Sequence, residues 1–338
     1  MSWSKVTIGS LGKVVTGKTP STEHDEYYGG SIPFITPKDM VGIRSVETER
    51  FLTDSGMENV ASSVVPEYTI CVSCIGSDMG KVVITQQMSV TNQQINSIIV
   101  SSNYDYQFVY YLLYSMKDKI QSLGKNSTAI PILNKAKFSA LDIVVPDLPT
   151  QHRIASILSA YDDLIENNRR QIKLLEEAAQ RLYREWFVEL RFPGHEDVKI
   201  VDGVPEGWQV VFLGDVIEFD PQVPLSKDRT KQSVPMAALS TSSMVIDQSL
   251  IENTMSNSGS KFRNGDTLLA RITPCLENGK TAFVDFLDKD EGAVGSTEFI
   301  VMRSKILNPY MVYCIARSDS FRTEAINSMT GSDGRQRA

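Results

Sequence analysis

The most regular pattern of apolar and polar positions in this chain lies between residues 150 and 192. Apolar residues there alternate spacings of four and three over nearly five heptads, which predicts a helix with one continuous apolar stripe, the seam of a coiled coil. A helix of about 40 residues is roughly 60 Å long. The predicted helix interface consists of Ile154, Leu158, Tyr161, Ile165, Asn168, Ile172, Leu175, Ala179, Leu182 and Trp186.

Both ends of this helix carry sequence signals. Thr150 follows Pro149 and is predicted as the N-cap, and Phe192-Pro193-Gly194 predicts the end. Asn168 is the one polar member of the seam, a residue type that fixes register and partner choice in coiled coils. The alternative is a long amphipathic helix packed on its own domain, but a 3.5-residue period held over this length favours the coiled coil.

Short apolar segments separated by Gly, Ser, Asn and Pro flank the helix on both sides. Before it, segments such as Thr69–Val72 and Ile98–Val100 predict strands, and the spacing of Phe108, Tyr111, Leu112 and Met116 predicts one helix over Tyr106–Gln121. After it the same plan recurs, and Asn308-Pro309 is predicted to open the matching helix.

The two flanking regions repeat each other at an offset of roughly 200 residues, which indicates two similar modules. The matched pairs are Trp3–Gly9 with Trp208–Gly214, Ser31–Pro33 with Ser233–Pro235, Gly80-Lys81 with Gly279-Lys280, and Ser122–Thr128 with Ser328–Gly334. The sequence therefore predicts an α+β protein: two structurally similar mixed α/β domains (1–149 and 193–338) joined by one long coiled-coil-forming helix (150–192).

Composition is that of an ordinary globular protein, with 41% hydrophobic and 22% charged residues among 338. The net charge of −7 argues against nonspecific coating of nucleic acid but leaves room for a local basic face. The four cysteines have no disulfide-framework spacing. Cys71-x-x-Cys74 would offer half a zinc site, but Cys275 and Cys314 are unpaired and the three histidines are scattered. No apolar run or signal peptide points to a membrane. These features favour a reduced cytoplasmic location and buried structural cysteines.

Several motifs come close to catalytic signatures without completing them. Gly76–Lys81 is one residue short of a phosphate-binding loop, and Val82 stands where a magnesium-binding hydroxyl is needed. Asp266 with Glu277 and Lys280 has the wrong spacing for a nuclease site, and Asn308–Tyr310 lacks the second proline of an adenine methyltransferase loop. We therefore predict no catalytic residues and no metal site.

The order of motifs along the whole chain resembles the specificity subunit of type I restriction-modification systems. The motifs are Thr16–Pro20, Tyr28–Pro33, Lys38–Met40, Leu148–Ile154 leading into Leu174–Phe187, Val204–Trp208 and Gly331–Arg337. The resemblance implies two target recognition domains, each of which reads half of a split double-stranded DNA sequence. It implies methyltransferase (M) subunits and restriction (R) subunits as partners, to which the cofactors S-adenosylmethionine, ATP and Mg belong. The family's second, antiparallel helix would follow Arg337 and is not found there, so a two-stranded spacer within this chain is in doubt.

Specific DNA readers combine Lys or Arg contacts to phosphate with amide, hydroxyl or guanidinium contacts to base edges. Grouping of such residues in turns at matching positions of both repeats indicates the candidate DNA-binding residues. In the first module they are Lys18, Thr19, Ser21, Lys38, Ser73, Ser77, Lys81, Asn92, Gln93 and Gln94. In the second they are Lys227, Arg229, Lys231, Arg271, Lys280, Arg335, Gln336 and Arg337. Taken singly, each also fits an ordinary solvated surface residue.

Two other function classes stay open on the sequence alone. The chain could be a truncated assembly or decoy protein that dimerises, or binds an M subunit, through its heptad helix without competent DNA recognition. It could also be an enzyme, which turnover by the pure chain would establish. Because soluble monomers avoid exposing a long apolar stripe, we expect either self-association through the seam or a second domain folded onto it.

Overall fold

The computed structural model describes residues 3–41, 48–124, 132–331 and 336–338. The chain divides into two compact units, Met1–Asn168 and Arg169–Ala338. The division falls inside the long helix, so each unit contains part of it.

The first unit is a mixed α/β domain of short strands. Its strands are β1 (Trp3–Thr7), β2 (Gly12–Thr16), β3 (Tyr28–Ile35), β4 (Phe51–Leu52), β5 (Val64–Val65), β6 (Ile70–Ser73), β7 (Val82–Ile84), β8 (Ser89–Thr91), β9 (Ile95–Val100) and β10 (Asp142–Pro146). Its helices before the long one are α1 (Asp54–Asn59), α2 (Tyr106–Ser115), α3 (Lys117–Gly124) and α4 (Lys135–Ser139).

Two four-stranded sheets form the framework of this unit. One is antiparallel with the order β2-β9-β6-β7, and the other has the order β4-β3-β8-β5 with a parallel β3–β8 pair. Strand β1 pairs antiparallel with β10. Alternate residues of β6 face opposite sides: Ile70 and Val72 join the core beneath α2, whereas Cys71 packs with Ile35 and Val83.

The single helix predicted over Tyr106–Gln121 is two helices. The chain leaves the helical path at Met116, where α2 ends and α3 begins at Lys117. The break lets residues of both helices, Leu113 from α2 and Ile120 from α3, be completely buried in one core. Burial of both helices in one core therefore outweighs the uninterrupted spacing in the sequence.

The long helix, α5 (Leu148–Tyr183), starts two residues before the predicted N-cap. The Oδ1 atom of Asp147 accepts a hydrogen bond from the backbone N–H of Thr150 at 3.0 Å. Hydrogen bonding by the Thr150 side chain and by this N–H lowers the pKa of Asp147 below its ordinary value. Asp147 is therefore the capping residue, and Thr150 lies in the first turn. Pro149 fits there because that turn needs no intrahelical N–H donor.

At its other end α5 passes into one turn of π-helix, Arg184–Val188, before the predicted stop at Phe192–Gly194. Residues spaced by multiples of seven attach the helix to each unit. In the first unit Ala155 is buried and the Tyr111 hydroxyl donates to Asp162 at 2.6 Å. In the second unit Glu176 accepts from the Ser243 hydroxyl at 2.8 Å. These three attachment residues, Ala155, Asp162 and Glu176, are not members of the heptad seam.

The second unit repeats the first. Its strands are β11 (Ile200–Val201), β12 (Val204–Pro205), β13 (Ile217–Phe219), β14 (Lys231–Val234), β15 (Glu252–Thr254), β16 (Ser260–Arg263), β17 (Thr267–Ala270), β18 (Thr281–Phe283), β19 (Gly292–Gly295) and β20 (Phe299–Ser304). Its helices after α5 are α6 (Leu213–Val216), α7 (Pro309–Arg317) and α8 (Asp319–Asn327). The Asn308 side chain caps α7 as predicted.

Sheet topology confirms the internal repeat. The sheets β13-β20-β17-β18 and β15-β14-β19-β16 have the orders of the first unit's sheets, including one parallel pair, β14–β19. The Lys81 ammonium donates to the carbonyl of Pro37 at 3.0 Å, and the Lys280 ammonium donates to that of Met236 at 2.9 Å. The Gly-Lys match therefore marks equivalent positions.

One of the sequence matches is displaced. In the parallel pairs Phe34 lies opposite Val90, and Ser233 lies opposite Val294. Ser233 is therefore equivalent to Phe34 and not to Ser31. The strand register corrects the alignment of Ser31–Pro33 with Ser233–Pro235 by three residues, because short Ser-x-Pro segments match by chance more easily than hydrogen-bonded ladders do.

Candidate nucleic-acid interface

In the first unit the predicted turn at Gly17–Ser21 lies against the polar segment Thr91–Gln94. The Lys18 backbone N–H donates to the Thr91 carbonyl at 2.9 Å, and the Thr19 hydroxyl donates to the Gln93 side-chain oxygen at 2.6 Å. A Cβ atom on Gly17 would lie 2.0 Å from the Asn92 carbonyl oxygen, so only glycine permits this approach. The structure thus brings Lys18, Thr19 and Gln93 together.

The loop between β6 and β7 is joined to the same surface. The Cys74 N–H donates to the Gln94 carbonyl at 2.7 Å. Lys81 reaches across to the Pro37 carbonyl and pairs with Asp78 at 2.9 Å, which fixes the loop beside Thr36–Asp39. The predicted residues Lys38 and Ser77 consequently face the same cleft.

This cleft, which we call the first-unit cleft, has a volume of about 400 Å³. Four predicted residues line it, namely Lys38, Ser77, Asn92 and Gln94, together with Arg50, Asp39, Glu49 and Asp78. The mixture of amides, a hydroxyl and both signs of charge offers donors and acceptors, the groups that read base edges. Because carboxylates alternate with cations around the cleft, the cleft does not suit a site that binds only phosphate groups.

Three predicted residues, Ser73, Asn92 and Lys231, have structural surroundings that correct their assignment. Asn92 is only 7% exposed, and its side-chain amide donates to the Gln94 side-chain oxygen and accepts from the Gln94 N–H, both at 3.1 Å. Ser73 is completely buried, and its hydroxyl accepts from the Lys81 N–H at 2.9 Å, so it shapes the loop and does not face a ligand. Lys231 lies in β14 and not on the loop with Lys227 and Arg229. It is only 8% exposed, and its ammonium donates to the Met255 carbonyl at 3.2 Å.

The remaining predicted residues of the second unit lie in different surroundings. Lys227 and Arg229 are exposed on the loop before β14. The Arg271 guanidinium donates to the Ala338 carbonyl at 2.9 Å, and that of Arg337 pairs with Glu298 at 2.8 Å. The Gln336 carbonyl accepts from Thr273, and Arg335 lies outside the described residues.

The second unit's counterpart of Thr91–Gln94 is not among the predicted residues. The Ser296 N–H donates to the Val234 carbonyl at 3.2 Å, as the Asn92 N–H donates to the Ile35 carbonyl at 3.0 Å. Gly295–Glu298 is therefore the equivalent segment, although no aligned position has the same residue type. The only usable signal was its place directly before an apolar strand equivalent to β9.

A second cleft, of about 390 Å³, lies beside this segment. Its lining includes Gln222, Lys261, Arg271 and Thr297. Each unit thus places amide, hydroxyl and cationic side chains around a small open cleft near the segment that follows its parallel strand pair.

The buried cysteines do not form a reactive site. Burial raises the pKa of Cys71 to about 12 and that of Cys74 to about 11, so both thiols are protonated at neutral pH. In the loop Gly76–Lys81 the Gly80 N–H donates to the Ser73 carbonyl and the Met79 N–H to the Gly76 carbonyl, so these two amides are already paired within the protein. Among the described residues no group of three potential ligands could hold a metal ion, and no helix is long and apolar enough to cross a membrane.

The heptad seam of α5 is uncovered. Its side chains from Leu158 to Trp186 are exposed, and only Ile154 is partly buried against the core of its unit. The exposed residues Ile165 and Ile172 flank Asn168. Within the second unit, that unit's own domain thus leaves the seam residues from Ile172 to Trp186 uncovered.

Comparison with known proteins gives consistent matches. Residues 1–177 match the family model of the type I restriction modification DNA specificity domain. The chain is 32% identical over 227 residues to the type I restriction enzyme MjaIX specificity subunit of Methanocaldococcus jannaschii, covering 64% of this chain and 52% of that relative. It is 34% identical over 175 residues to the HindI specificity subunit of Haemophilus influenzae, and this match covers 49% of this chain and 38% of that relative.

The chain thus spans about half the length of the curated relatives it matches. A solved structure, the S subunit of a type I restriction-modification system from M. genitalium, superimposes with a TM-score of 0.56 at 17% identity. The superposition covers 99% of this chain and 81% of that one, and it indicates a shared fold.

Proposed function

The chain belongs to the family of type I restriction-modification DNA specificity domains, and from this premise we propose that it is a non-catalytic DNA-recognition subunit. Each unit reads one half of a bipartite sequence in double-stranded DNA. The observation that carries this proposal is the duplicated unit: both units have the same sheet orders, the same lysine-to-carbonyl contact and an equivalent segment before the strand that follows the parallel pair.

The chemistry of the two clefts supports base recognition by direct contact. Asn and Gln side chains suit adenine, Lys and Arg suit guanine, and carboxylates accept from cytosine. In the first unit Gln94 stands beside the exposed residues Lys38, Glu49 and Arg50 in one cleft, so one unit offers partners for several bases. Lys18, Lys227 and Arg229 are the exposed cations that suit phosphate contacts.

Catalysis belongs to partner subunits in this proposal. M subunits supply adenine methylation from S-adenosylmethionine, and R subunits supply ATP- and Mg-dependent cleavage. The net charge of −7 supports this division, because weak DNA affinity of the isolated chain would then be reinforced by a partner. The exposed seam of α5 is the surface we assign to assembly.

Co-expression with the M subunit from the same host tests the proposal. Sequencing that maps methylated adenines should show one split motif, and the purified pair should bind that motif with specificity that neither protein has alone. The matched control is the M subunit without this chain, which should methylate no such motif. Methylation that is identical with and without the chain would contradict the proposal.

A second candidate is favoured by one observation, the apolar seam exposed from Leu158 to Trp186. An assembly or decoy protein would use this seam to dimerise or to occupy an M subunit without competent recognition. The same co-expression separates the two functions: a stable complex without sequence preference on DNA supports the decoy. A complex that methylates one split motif supports the recognition subunit.

A further inference from the structure

One position in the sheet with the parallel strand pair carries opposite charges in the two units. In the first unit the Phe34 N–H donates to the Arg50 carbonyl at 2.9 Å, directly before β4. In the second unit Ser233 lies opposite Glu252, the first residue of β15. Because Ser233 is the equivalent of Phe34, Arg50 and Glu252 occupy the same place in the fold. A guanidinium thus stands in one unit where a carboxylate stands in the other.

The backbone of Arg50 is fixed by the fold, whereas its side chain is available to a ligand. The Thr48 hydroxyl donates to the Arg50 carbonyl at 2.9 Å and accepts from the Arg50 N–H at 3.3 Å. The Arg50 side chain is exposed, and among the described residues its guanidinium has no hydrogen-bond or ion-pair partner. Glu252 is exposed too, and its carboxylate has no such partner in the described part of the chain.

The surroundings of Arg50 favour a base edge over a phosphate group. Around the first-unit cleft the two cations Lys38 and Arg50 stand among three carboxylates, those of Asp39, Glu49 and Asp78. Arg50 also lines a neighbouring cleft of about 480 Å³, in which every other charged lining group is a carboxylate. Carboxylates repel a phosphate, whereas the O6 and N7 atoms of guanine are neutral acceptors that match the fork of a guanidinium.

We infer that this shared position determines one G·C base pair in each half of the target, where Arg50 reads a guanine and Glu252 reads a cytosine. The inference rests on the proposed function and deepens it, because it names a base that each unit requires. Arginine donates two hydrogen bonds to guanine O6 and N7, and glutamate accepts one from the cytosine N4 amino group. A carboxylate at guanine would face two acceptors, and a guanidinium at cytosine would face a donor, so each charge also rejects the other's base.

Exchange of the two charges tests the inference in the complex with the M subunit. Methylated-adenine maps from cells that carry the complex give the wild-type motif, in which each half should require at least one G·C pair. Arg50→Ala should relax the guanine requirement in one half, and Arg50→Glu should replace that guanine by cytosine. Glu252→Ala should relax the cytosine requirement in the opposite half, and Glu252→Arg should replace that cytosine by guanine.

Binding titrations of the purified complexes give the magnitude of each change. The probes are duplexes that carry each of the four base pairs at the position identified by the maps. Arg50→Ala should reduce the preference for guanine by roughly 5- to 150-fold, the range for one lost base contact. Both positions are exposed, so the variants keep the fold, and co-purification with the M subunit checks this.

The matched controls, Lys13→Ala and Glu218→Ala, remove opposite charges at another pair of equivalent positions. Lys13 lies in β2 opposite Ile99, and Glu218 lies in β13 opposite Arg303. Both residues are exposed, and neither lines the first-unit cleft, its neighbour or the second unit's cleft. Base preferences should therefore stay unchanged in both variants.

Preferences that shift in one half with the Arg50 variants and in the other half with the Glu252 variants, but not with the controls, support the inference. Equal weakening of binding to all sequences, with a smaller salt slope, would identify Arg50 as a phosphate contact and overturn it. Unchanged preferences in either set of variants, or a wild-type half without a G·C pair, also overturn it. The proposed function itself fails only if the wild-type complex methylates no split motif, so the two failures are distinguishable.

Discussion

At the scale of residues, Arg229 and Lys231 show why two neighbouring cations should have different effects. Arg229 is exposed, whereas the Lys231 ammonium is buried and donates to the Met255 carbonyl. In the complex with its M subunit, Arg229→Ala should weaken DNA binding and reduce the log–log salt slope by about 0.9, the value for one phosphate contact. Binding titrations over a range of salt concentrations measure the slope.

The controls for this prediction come from the same strand and loop. Arg229→Lys keeps the charge and should keep the slope. Lys231→Ala should lower the midpoint of denaturant unfolding, because it leaves the Met255 carbonyl without its buried donor, while the slope stays unchanged. A slope that responds to Lys231→Ala but not to Arg229→Ala would reverse the assignment.

The buried thiols predict alkaline destabilisation. Their pKa values, about 12 for Cys71 and about 11 for Cys74, exceed the ordinary value near 8.5, so the folded state favours the protonated form. This stabilisation is complete below pH ~8.5 and is lost as the pH rises towards 11, by at most about 1.4 kcal/mol per pH unit for each thiol. Urea unfolding between pH 8 and 10.5 should show a smaller loss of unfolding free energy in the double variant Cys71→Ala/Cys74→Ala than in the wild-type protein. Equal losses in the two proteins would contradict this prediction.

Some residue assignments could be made from sequence and others depended on tertiary placement. Lys38, Ser77, Asn92 and Gln94 were predicted one by one, and the structure places them around one cleft. Ser73 has the same residue type as Ser77, but it ends a buried strand, and only the fold shows that its side chain points inward.

At the scale of elements, the uncovered seam of α5 predicts association. An exposed apolar stripe is costly in water, and the single polar seam residue Asn168 is the type that limits register. Ile165→Asp with Ile172→Asp should dissociate the complex that the seam forms, as measured by sedimentation velocity. Asn167→Asp with Lys173→Asp changes charges off the seam and should leave the mass unchanged.

Two results would count against the seam as the interface. One is a wild-type chain that is monomeric at micromolar concentration and also fails to bind its M subunit. The other is an association that survives the two isoleucine substitutions.

Asn168→Ile should strengthen the association and broaden its stoichiometry, because the polar residue specifies partner number at a cost in stability.

The elements differ in how much the sequence revealed. The long helix followed from its 3.5-residue period, and the duplication followed from Gly80-Lys81 and Gly279-Lys280. The break at Met116 and the equivalence of Gly295–Glu298 with Thr91–Gln94 could not be predicted, since neither has a residue signature. Both depend on which backbone groups pair in three dimensions, and many sequences satisfy such pairing.

At the scale of the whole molecule, the duplicated architecture predicts that the two halves of the DNA target are read separately. The two units have separate cores and separate clefts, each beside its own polar segment. Residues that share no partners act independently, so changes in one unit should alter one half-site only.

Gln93→Ala with Gln94→Ala should relax base preference in one half of the split motif and leave the other half intact. Thr297→Ala in the equivalent segment of the second unit is the matched variant, and it should relax the opposite half. Each lost base contact should reduce discrimination by about 1–3 kcal/mol, or roughly 5- to 150-fold. Methylated-adenine maps from cells that carry each variant with the M subunit give the measurement. If either variant relaxed both halves together, the units would not read the DNA independently.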